Sequence, residues 1–181
     1  HSRPERIPVM RRRFEQLVDE HGPRLRQLAR ALLGRVDEAD DVVQDTLIKL
    51  WDHLPTLDAD AVLPWLLTCT RNACLDRLRG RTRTRGVLLQ LVGERDAAGE
   101  RSEDPAELAS AERRRQILRE GIARLPEPAR SLLILRDLQD VDVATTAATL
   151  ELSENQVKVY TFRARRKLRE MLEEELHEQV A

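Results

Sequence analysis

Aromatic residues are scarce in this chain, and so are glycines and cysteines. Aromatic side chains make up 3% of its 181 residues, and it contains seven glycines and two cysteines. Sheet proteins draw on aromatic and β-branched residues for their strands and on glycine for their turns. Leu, Ala, Arg and Glu, which are frequent here, favour helices instead. The sequence therefore predicts an all-α protein.

The two cysteines, Cys69 and Cys74, fall within one predicted helix. Residues five positions apart lie on different faces of a helix, which argues against a disulfide between them. Zinc would require two further ligands at close spacing, and none lies nearby in the sequence. We therefore expect buried structural thiols, no metal and no cofactor.

Long hydrophobic runs and catalytic motifs are also missing. No stretch approaches the ~18 apolar residues that mark a membrane-spanning helix, and no apolar core follows the basic N-terminus as it would in a secretory signal. The sequence has no glycine-rich phosphate loop and no nucleophile motif, and its histidines are scattered. These absences predict a cytoplasmic protein that does not insert in a membrane and is not an enzyme.

Apolar residues recur at helical spacing in two blocks. In the first block, residues 10–80, Gly22-Pro23 predicts a break between two helices. Asp37 and Asp60 are expected to cap the two helices that follow.

The second block, residues 111–178, predicts further helices over Ala129–Leu138, Val143–Leu150 and Ser153–Glu175. Between the blocks, residues 81–110 mix arginines, glycines and acids with little periodicity, which is typical of a flexible linker. We expect two small helical domains joined by this linker.

Charge is placed unevenly, although the formal net charge is only −1. Acidic residues outnumber basic ones between Phe14 and Thr68, whereas Arg71–Arg85 is strongly basic. The stretch Lys158–Arg169 contains no Asp or Glu. Basic helices attract nucleic-acid phosphates, and an acidic body favours a basic protein surface.

The last two predicted helices are typical of a helix–turn–helix unit. Ser153 is expected to cap the second helix, with Val157 and Leu168 on its buried side together with Phe162 or Ala164. The first exposed turns carry Asn, Gln and Lys, which can pair with adenine, guanine or phosphate. The pattern predicts a DNA-binding helix.

One predicted helix of the first block combines aromatic and polar residues on a single face. Trp65, Asn72 and Arg79 are spaced by seven, so they lie on the same side of the helix. A Trp beside Asn and Arg can hold unstacked bases by stacking and hydrogen bonding, although a core Trp with surface arginines would give the same pattern.

Both blocks resemble one protein family. Asp37–Leu50, followed by Trp65-Leu66, Arg71-Asn72 and Asp76-Arg77, resembles region 2 of bacterial extracytoplasmic-function (ECF) RNA polymerase sigma factors. Leu125–Arg130, Leu135–Leu138 and Leu150–Leu168 resemble region 4 of the same family. The motifs occur in the family's order and spacing, and the resemblance covers Phe14–Leu172.

The resemblance implies a transcription initiation factor without a catalytic centre of its own. Region 2, at 10–80, would bind the β′ clamp helices of core RNA polymerase and hold the melted −10 strand. Region 4, at 111–178, would dock on the β flap and bind the −35 element in double-stranded DNA. The linker, at 81–110, would pass near the RNA exit channel. The resemblance leaves open whether an anti-sigma factor is a further partner.

The resemblance also implies three sets of binding residues. For core polymerase they are Asp40, Asp41, Val43, Gln44, Asp45, Leu47 and Trp51. For the −10 strand they are Thr56, Asp58, Trp65, Arg71, Asn72, Arg77 and Arg79. For the −35 element they are Ser153, Glu154, Asn155, Gln156, Lys158, Val159, Arg163 and Arg166.

Region 4 departs from the family pattern at several positions. The family usually has glycine where this chain has Asp140, and often where it has Glu151. It usually has Glu-Ile at Thr145-Thr146, and within the recognition helix Thr at Gln156 and a Ser-Arg pair at Val159-Tyr160. Lys158, Arg163, Ala164 and Arg165 match the family.

Two other functions fit parts of the pattern. A sigma mimic that only sequesters an anti-sigma factor would carry a signal-receiver domain, and no alternation of strands and helices typical of one occurs here. A helix–turn–helix repressor with a helical dimerisation domain would not match the region 2 pattern.

Overall fold

The structure is a computed structural model that describes residues 3–84 and 105–178. These residues form α-helices joined by short turns, and no strand occurs among them. The predicted all-α class is thereby confirmed. Most of the predicted linker, residues 85–104, lies outside the described residues.

Three helices form the first of two compact units. They are α1 (Arg3–Leu33), α2 (Val36–His53) and α3 (Ala59–Thr84), with a 3₁₀ turn at Leu54–Thr56 between α2 and α3. Their apolar faces meet in a core of fully buried leucines, among them Leu25, Leu28, Leu50, Leu66 and Leu67. Burial of this apolar stripe holds the three helices together.

The predicted break at Gly22-Pro23 is wrong, because α1 runs through both residues. A proline inside a helix removes one backbone hydrogen bond, here to the carbonyl of Asp19. Pro23 and Asp19 are both exposed, so water can satisfy that carbonyl. The neighbouring Leu25 and Leu28 are fully buried, and their packing outweighs the local signal to stop.

The predicted capping roles of Asp37 and Asp60 are also wrong. The residue before α2 is Arg35, which makes no side-chain capping bond, and Asp37 lies within the first turn. Likewise α3 begins at Ala59, so Asp60 lies inside its first turn. Both carboxylates still favour their helices, because negative charge near a helix N-terminus complements the macrodipole.

Four helices belong to the second part of the chain. They are α4 (Pro105–Arg124), α5 (Ala129–Leu133) with a π-helical turn at Ile134–Leu138, α6 (Val143–Leu150) and α7 (Glu154–Glu178). Leu125, Leu132, Leu133, Ile134 and Leu135 form the buried centre of the second unit.

α4 and α7 approach each other closely at Gly121. A Cβ atom added there would lie 2.8 Å from Cδ1 of Leu168, so a larger side chain would force the helices apart. α3 extends to Thr84 and α4 begins at Pro105, so both helices include residues at the ends of the predicted linker 81–110.

Two turns in the second part of the chain adopt left-handed backbone conformations without glycine. Asp140 has φ 50° and Glu151 has φ 55°, and these are two positions where the resemblance leads one to expect glycine. A side chain in this region carries a cost of about 1 kcal/mol that glycine avoids. Both turns therefore have the left-handed conformation that favours glycine, although this chain has Asp140 and Glu151 at these positions.

Both cysteines are free thiols. Cys74 is buried, which raises the pKa of its thiol to about 12, whereas Cys69 is only half-buried. Within residues 3–84 and 105–178, no cluster of His, Cys, Asp and Glu could hold a metal ion. Over the same residues, every helix is too short or too polar to cross a membrane.

Candidate polymerase-binding and DNA-binding surfaces

A groove of about 570 Å³ lies on the side of α2 that faces the middle of α1. We call it the α2 groove; it is lined by Phe14, Arg26, Arg30, Asp40, Val43, Gln44, Leu47, Ile48 and Trp51. Phe14 and Trp51 meet edge to face at one wall, with ring centroids 5.2 Å apart. Ile48 is 59% exposed. The groove therefore offers an apolar surface with a charged margin.

Five of the seven residues expected to bind core polymerase line the α2 groove. They are Asp40, Val43, Gln44, Leu47 and Trp51. The remaining two, Asp41 and Asp45, point towards α3, where carboxylate oxygens of both lie 3.7 and 3.5 Å from the Arg77 guanidinium.

Arg77 lies against α2. Its Nη1 donates a hydrogen bond to the carbonyl of Glu38 at 3.1 Å. The same guanidinium forms the ion pairs with the carboxylates of Asp41 and Asp45. One turn further along α3, Arg81 forms an ion pair with Glu38 and donates to the carbonyl of Leu33 at 3.1 Å. Two arginines thus tie α3 to the start of α2, and one of them is a residue expected to contact DNA.

The other residues expected at the −10 strand lie on or beside one face of α3. Trp65 is half-buried, while Asn72 and Arg79 are exposed. Arg71 donates to Oδ1 of Asn72 at 3.4 Å, and Arg79 pairs with Asp76 at 2.9 Å. Four of the expected residues therefore lie on or beside this face of α3, namely Trp65, Arg71, Asn72 and Arg79. Arg77 contacts α2 and does not belong to this set.

The loop before α3, which contains Thr56 and Asp58, is held by contacts that the sequence pattern did not indicate. Arg13, from α1, donates to the carbonyl of Leu57 at 2.9 Å and to that of Leu54 at 3.5 Å. Thr56 Oγ1 donates to the carbonyl of His53 at 2.9 Å. Asp58 is exposed. Arg13 is separated from the loop by a whole helix, so no local spacing could have identified it.

The residues expected at the −35 element begin with a capping box at the start of α7. The amide of Gln156 donates to Oγ of Ser153 at 3.1 Å, and the amide of Ser153 donates to Oε1 of Gln156 at 2.8 Å. This arrangement satisfies two amides that the helix itself leaves unpaired. The predicted cap at Ser153 is thereby confirmed, and Gln156 has a structural partner.

We expect Ser153→Ala to lower the free energy of unfolding by about 1 kcal/mol, because the amide of Gln156 loses its acceptor. Chemical denaturation of the full chain measures this change. Ser153→Asp is the matched control, since its carboxylate can accept the same hydrogen bond. Equal destabilisation by both substitutions would contradict the capping role.

The outward face of α7 is exposed over several turns. Val157, Ala164 and Leu168 are buried, whereas Phe162 is 67% exposed and Val159 is 38% exposed. Of the two alternatives for the buried side, Ala164 is therefore the correct one. Phe162 shares the face of Asn155 and Arg166 because these residues are spaced by seven and four.

The basic residues of α7 divide into two groups. Lys158, Arg163 and Arg166 are exposed, although Arg166 also pairs with Glu170 at 3.4 Å. Arg165 is exposed as well, but it forms two hydrogen bonds with the carboxylate of Asp137, at 2.5 and 2.9 Å, and this contact raises the pKa of Arg165. The exposed face of α7 thus combines basic side chains with Asn155, Val159 and Phe162.

Comparison with known proteins gives matches in both parts of the chain. The family models described as Sigma-70 region 2 and Sigma-70, region 4 match residues 17–84 and 115–168. The ECF RNA polymerase sigma factor SigL of Mycobacterium tuberculosis is 32% identical over 161 residues, covering 87% of this chain and 88% of the relative.

Two solved structures are also similar. The structure of CnrH in complex with the cytosolic domain of CnrY has a TM-score of 0.65 and 29% identity, covering 90% of this chain and 89% of the other. RpoE in complex with the anti-sigma factor NepR from Bartonella quintana has a TM-score of 0.70 and 27% identity, covering 88% and 96%.

Proposed function

Because the chain belongs to the ECF RNA polymerase sigma factors, we propose that it directs core polymerase to specific promoters and captures the melted −10 strand. Sigma factors bind RNA polymerase and promoter DNA, and the polymerase supplies the chemistry of transcription. The proposal assigns region 2 to residues 10–80, region 4 to residues 111–178 and a connecting role to residues 81–110. Because RNA polymerase works in the cytoplasm, this protein would act there.

The α2 groove is the proposed site for the β′ clamp helices of core polymerase. An amphipathic helix binds a partner by laying its apolar side chains into such a groove. The aromatic pair Phe14–Trp51 and the exposed Ile48 supply apolar contact area, and Asp40 lies at the charged margin. Aromatic anchors in a groove are typical of the residues that dominate binding energy.

Asp41 and Asp45 do not line the α2 groove, and we assign them a different role. Since both carboxylates lie near Arg77, we propose that they help to position α3 against α2 while their outer edges remain open to a basic partner. Both carboxylates are largely exposed, at 67% and 63%, so a polymerase residue can still reach them.

The face of α3 with Trp65, Asn72 and Arg79 is the proposed path of the melted strand. Stacking on an aromatic ring, together with hydrogen bonds from Asn and Arg, offsets the few kcal/mol that unstacking a base costs. Arg71 extends this face, and the loop with Thr56 and Asp58 borders it. Arg77 would contribute indirectly, by fixing α3.

The exposed face of α7 is the proposed binding surface for the −35 element. The second unit would also dock on the β flap of core polymerase. Lys158, Arg163 and Arg166 would contact phosphates, and Asn155 suits adenine. Val159 and Phe162 present apolar surface, which suits the methyl group of thymine. Glu154 lies in the first turn, where a carboxylate can accept from the amino group of cytosine.

An anti-sigma factor is a further proposed partner. The support is that CnrH and RpoE, both similar to this chain over most of its length, were solved in complexes with CnrY and the anti-sigma factor NepR. Such a partner would compete with core polymerase if it covered the α2 groove.

Run-off transcription tests the proposed function. Core polymerase would be incubated with a pool of genomic promoter fragments, with and without this protein. Discrete transcripts that require the protein, with shared sequence elements upstream, are the expected result. Binding to core polymerase without new transcripts would favour a mimic, and failure to bind core polymerase would contradict the proposal.

A further inference from the structure

A second aromatic ring lies beside Trp65. The imidazole of His53, the last residue of α2, has its centroid 5.2 Å from that of Trp65, with the ring planes inclined by 38°. His53 is exposed and Trp65 is half-buried. Two rings contributed by different helices thus meet next to the loop that precedes α3.

The orientation of the His53 ring is fixed by its own helix. Nδ1 lies 2.9 Å from the carbonyl oxygen of Lys49. A carbonyl can only accept, so Nδ1 carries the proton and donates it there. Nε2 is therefore the ring nitrogen that remains able to form a hydrogen bond with a ligand.

The backbone around His53 is held as well. The carbonyl of His53 accepts from Thr56, and the carbonyls of Leu54 and Leu57 accept from Arg13. Leu54 is 1% exposed, so the 3₁₀ turn is anchored in the core. A rigid aromatic surface loses little conformational entropy when a ligand binds, which favours affinity.

From this arrangement we infer that His53 and Trp65 together form a platform on which one unstacked base of the −10 strand rests. The inference rests on the proposed capture of the melted strand and adds His53 to the residues that would contact DNA. Every base has a π face, so the platform suits an unpaired base irrespective of its identity. Nε2 adds one hydrogen-bonding group that can contact the base edge or its phosphate. Arg13 acts as a positioning residue for the platform.

Holoenzyme assembled from core polymerase and the full chain would test this inference. The probe is a fluorescent single-stranded oligonucleotide of the non-template −10 sequence, taken from a promoter identified by run-off transcription. We expect His53→Ala to weaken binding of this probe by ~10-fold, the lower part of the range for loss of a base-stacking ring. His53→Phe keeps a ring but loses the bond to Lys49, and should stay within about threefold of the wild type.

Probes with one abasic site each locate the stacked base. If His53 stacks on one base, then the His53→Ala loss and the abasic loss at that position will be less than additive. At every other position the two losses should add. Asp52→Ala is the matched control, because Asp52 is an exposed neighbour whose loss should leave binding equal or tighter.

Several results would overturn the platform. They are an unchanged affinity in His53→Ala, additive losses at every position, or equal losses in His53→Ala and His53→Phe, the last being expected if His53 only caps α2. A wild-type holoenzyme that does not bind the strand would overturn the proposed strand capture itself, and is thus distinguishable from failure of the platform alone.

Discussion

Replacement of Ile48 by aspartate is expected to weaken binding to core polymerase by at least ~30-fold, or about 2 kcal/mol. Ile48 lines the α2 groove and is 59% exposed, so the folded chain can accept a carboxylate there. A clamp helix that buried this position would have to strip water from an unpaired charge. Titration of labelled core polymerase with the full-length variant measures the effect.

Val9→Asp is the matched control for this experiment. Val9 lies on α1, is 71% exposed and is not among the groove residues, so the same change should leave the affinity for polymerase unchanged. Thermal unfolding of both variants checks that neither loses the fold. Wild-type affinity in Ile48→Asp would contradict the assignment of the α2 groove.

Reversing the charge of Arg163 is expected to weaken promoter binding by the holoenzyme by at least ~30-fold, with no change in binding to core polymerase. A contact between a charged donor and phosphate contributes about 2 kcal/mol, and glutamate in its place adds repulsion. The slope of the logarithm of affinity against the logarithm of salt concentration should fall by about 1, since one fewer phosphate is neutralised. Filter binding over a salt series measures both quantities.

Arg165→Ala separates a DNA contact from a structural arginine two positions away. Arg165 binds the carboxylate of Asp137 through two hydrogen bonds, so its loss should lower thermal stability and leave the salt slope unchanged. If Arg163→Glu and Arg165→Ala changed the salt slope alike, the division of the α7 arginines would be wrong.

The sequence alone does not distinguish Arg163 from Arg165, because the partner of Arg165, Asp137, lies 28 positions away in the chain. Helical spacing and capping chemistry predicted the bounds of α6 and the Ser153 cap, because both depend on neighbours within a few residues. The same kind of reasoning failed at Gly22-Pro23, where the burial of Leu25 and Leu28 prevails over a local signal. It also failed at Asp37, since no side chain caps the start of α2.

The candidate surfaces were predictable only in part, for a related reason. The seven-residue spacing of Trp65, Asn72 and Arg79 reports which residues share a face of one helix. It contains nothing about contacts between helices, such as Arg77 with the carboxylates of α2 or the His53 ring with Trp65. Phe162 was ambiguous for a different reason, because a large apolar residue on an amphipathic helix is ordinarily buried.

Permanganate mapping of unpaired thymines tests the central claim most directly. Linear duplex promoter, core polymerase and this protein would be combined, and each component omitted in turn. The account predicts reactive thymines around the −10 element only when polymerase and protein are both present, with reactivity lost in Ile48→Asp. A bound complex in which the duplex stays closed would contradict the proposed capture of the melted strand.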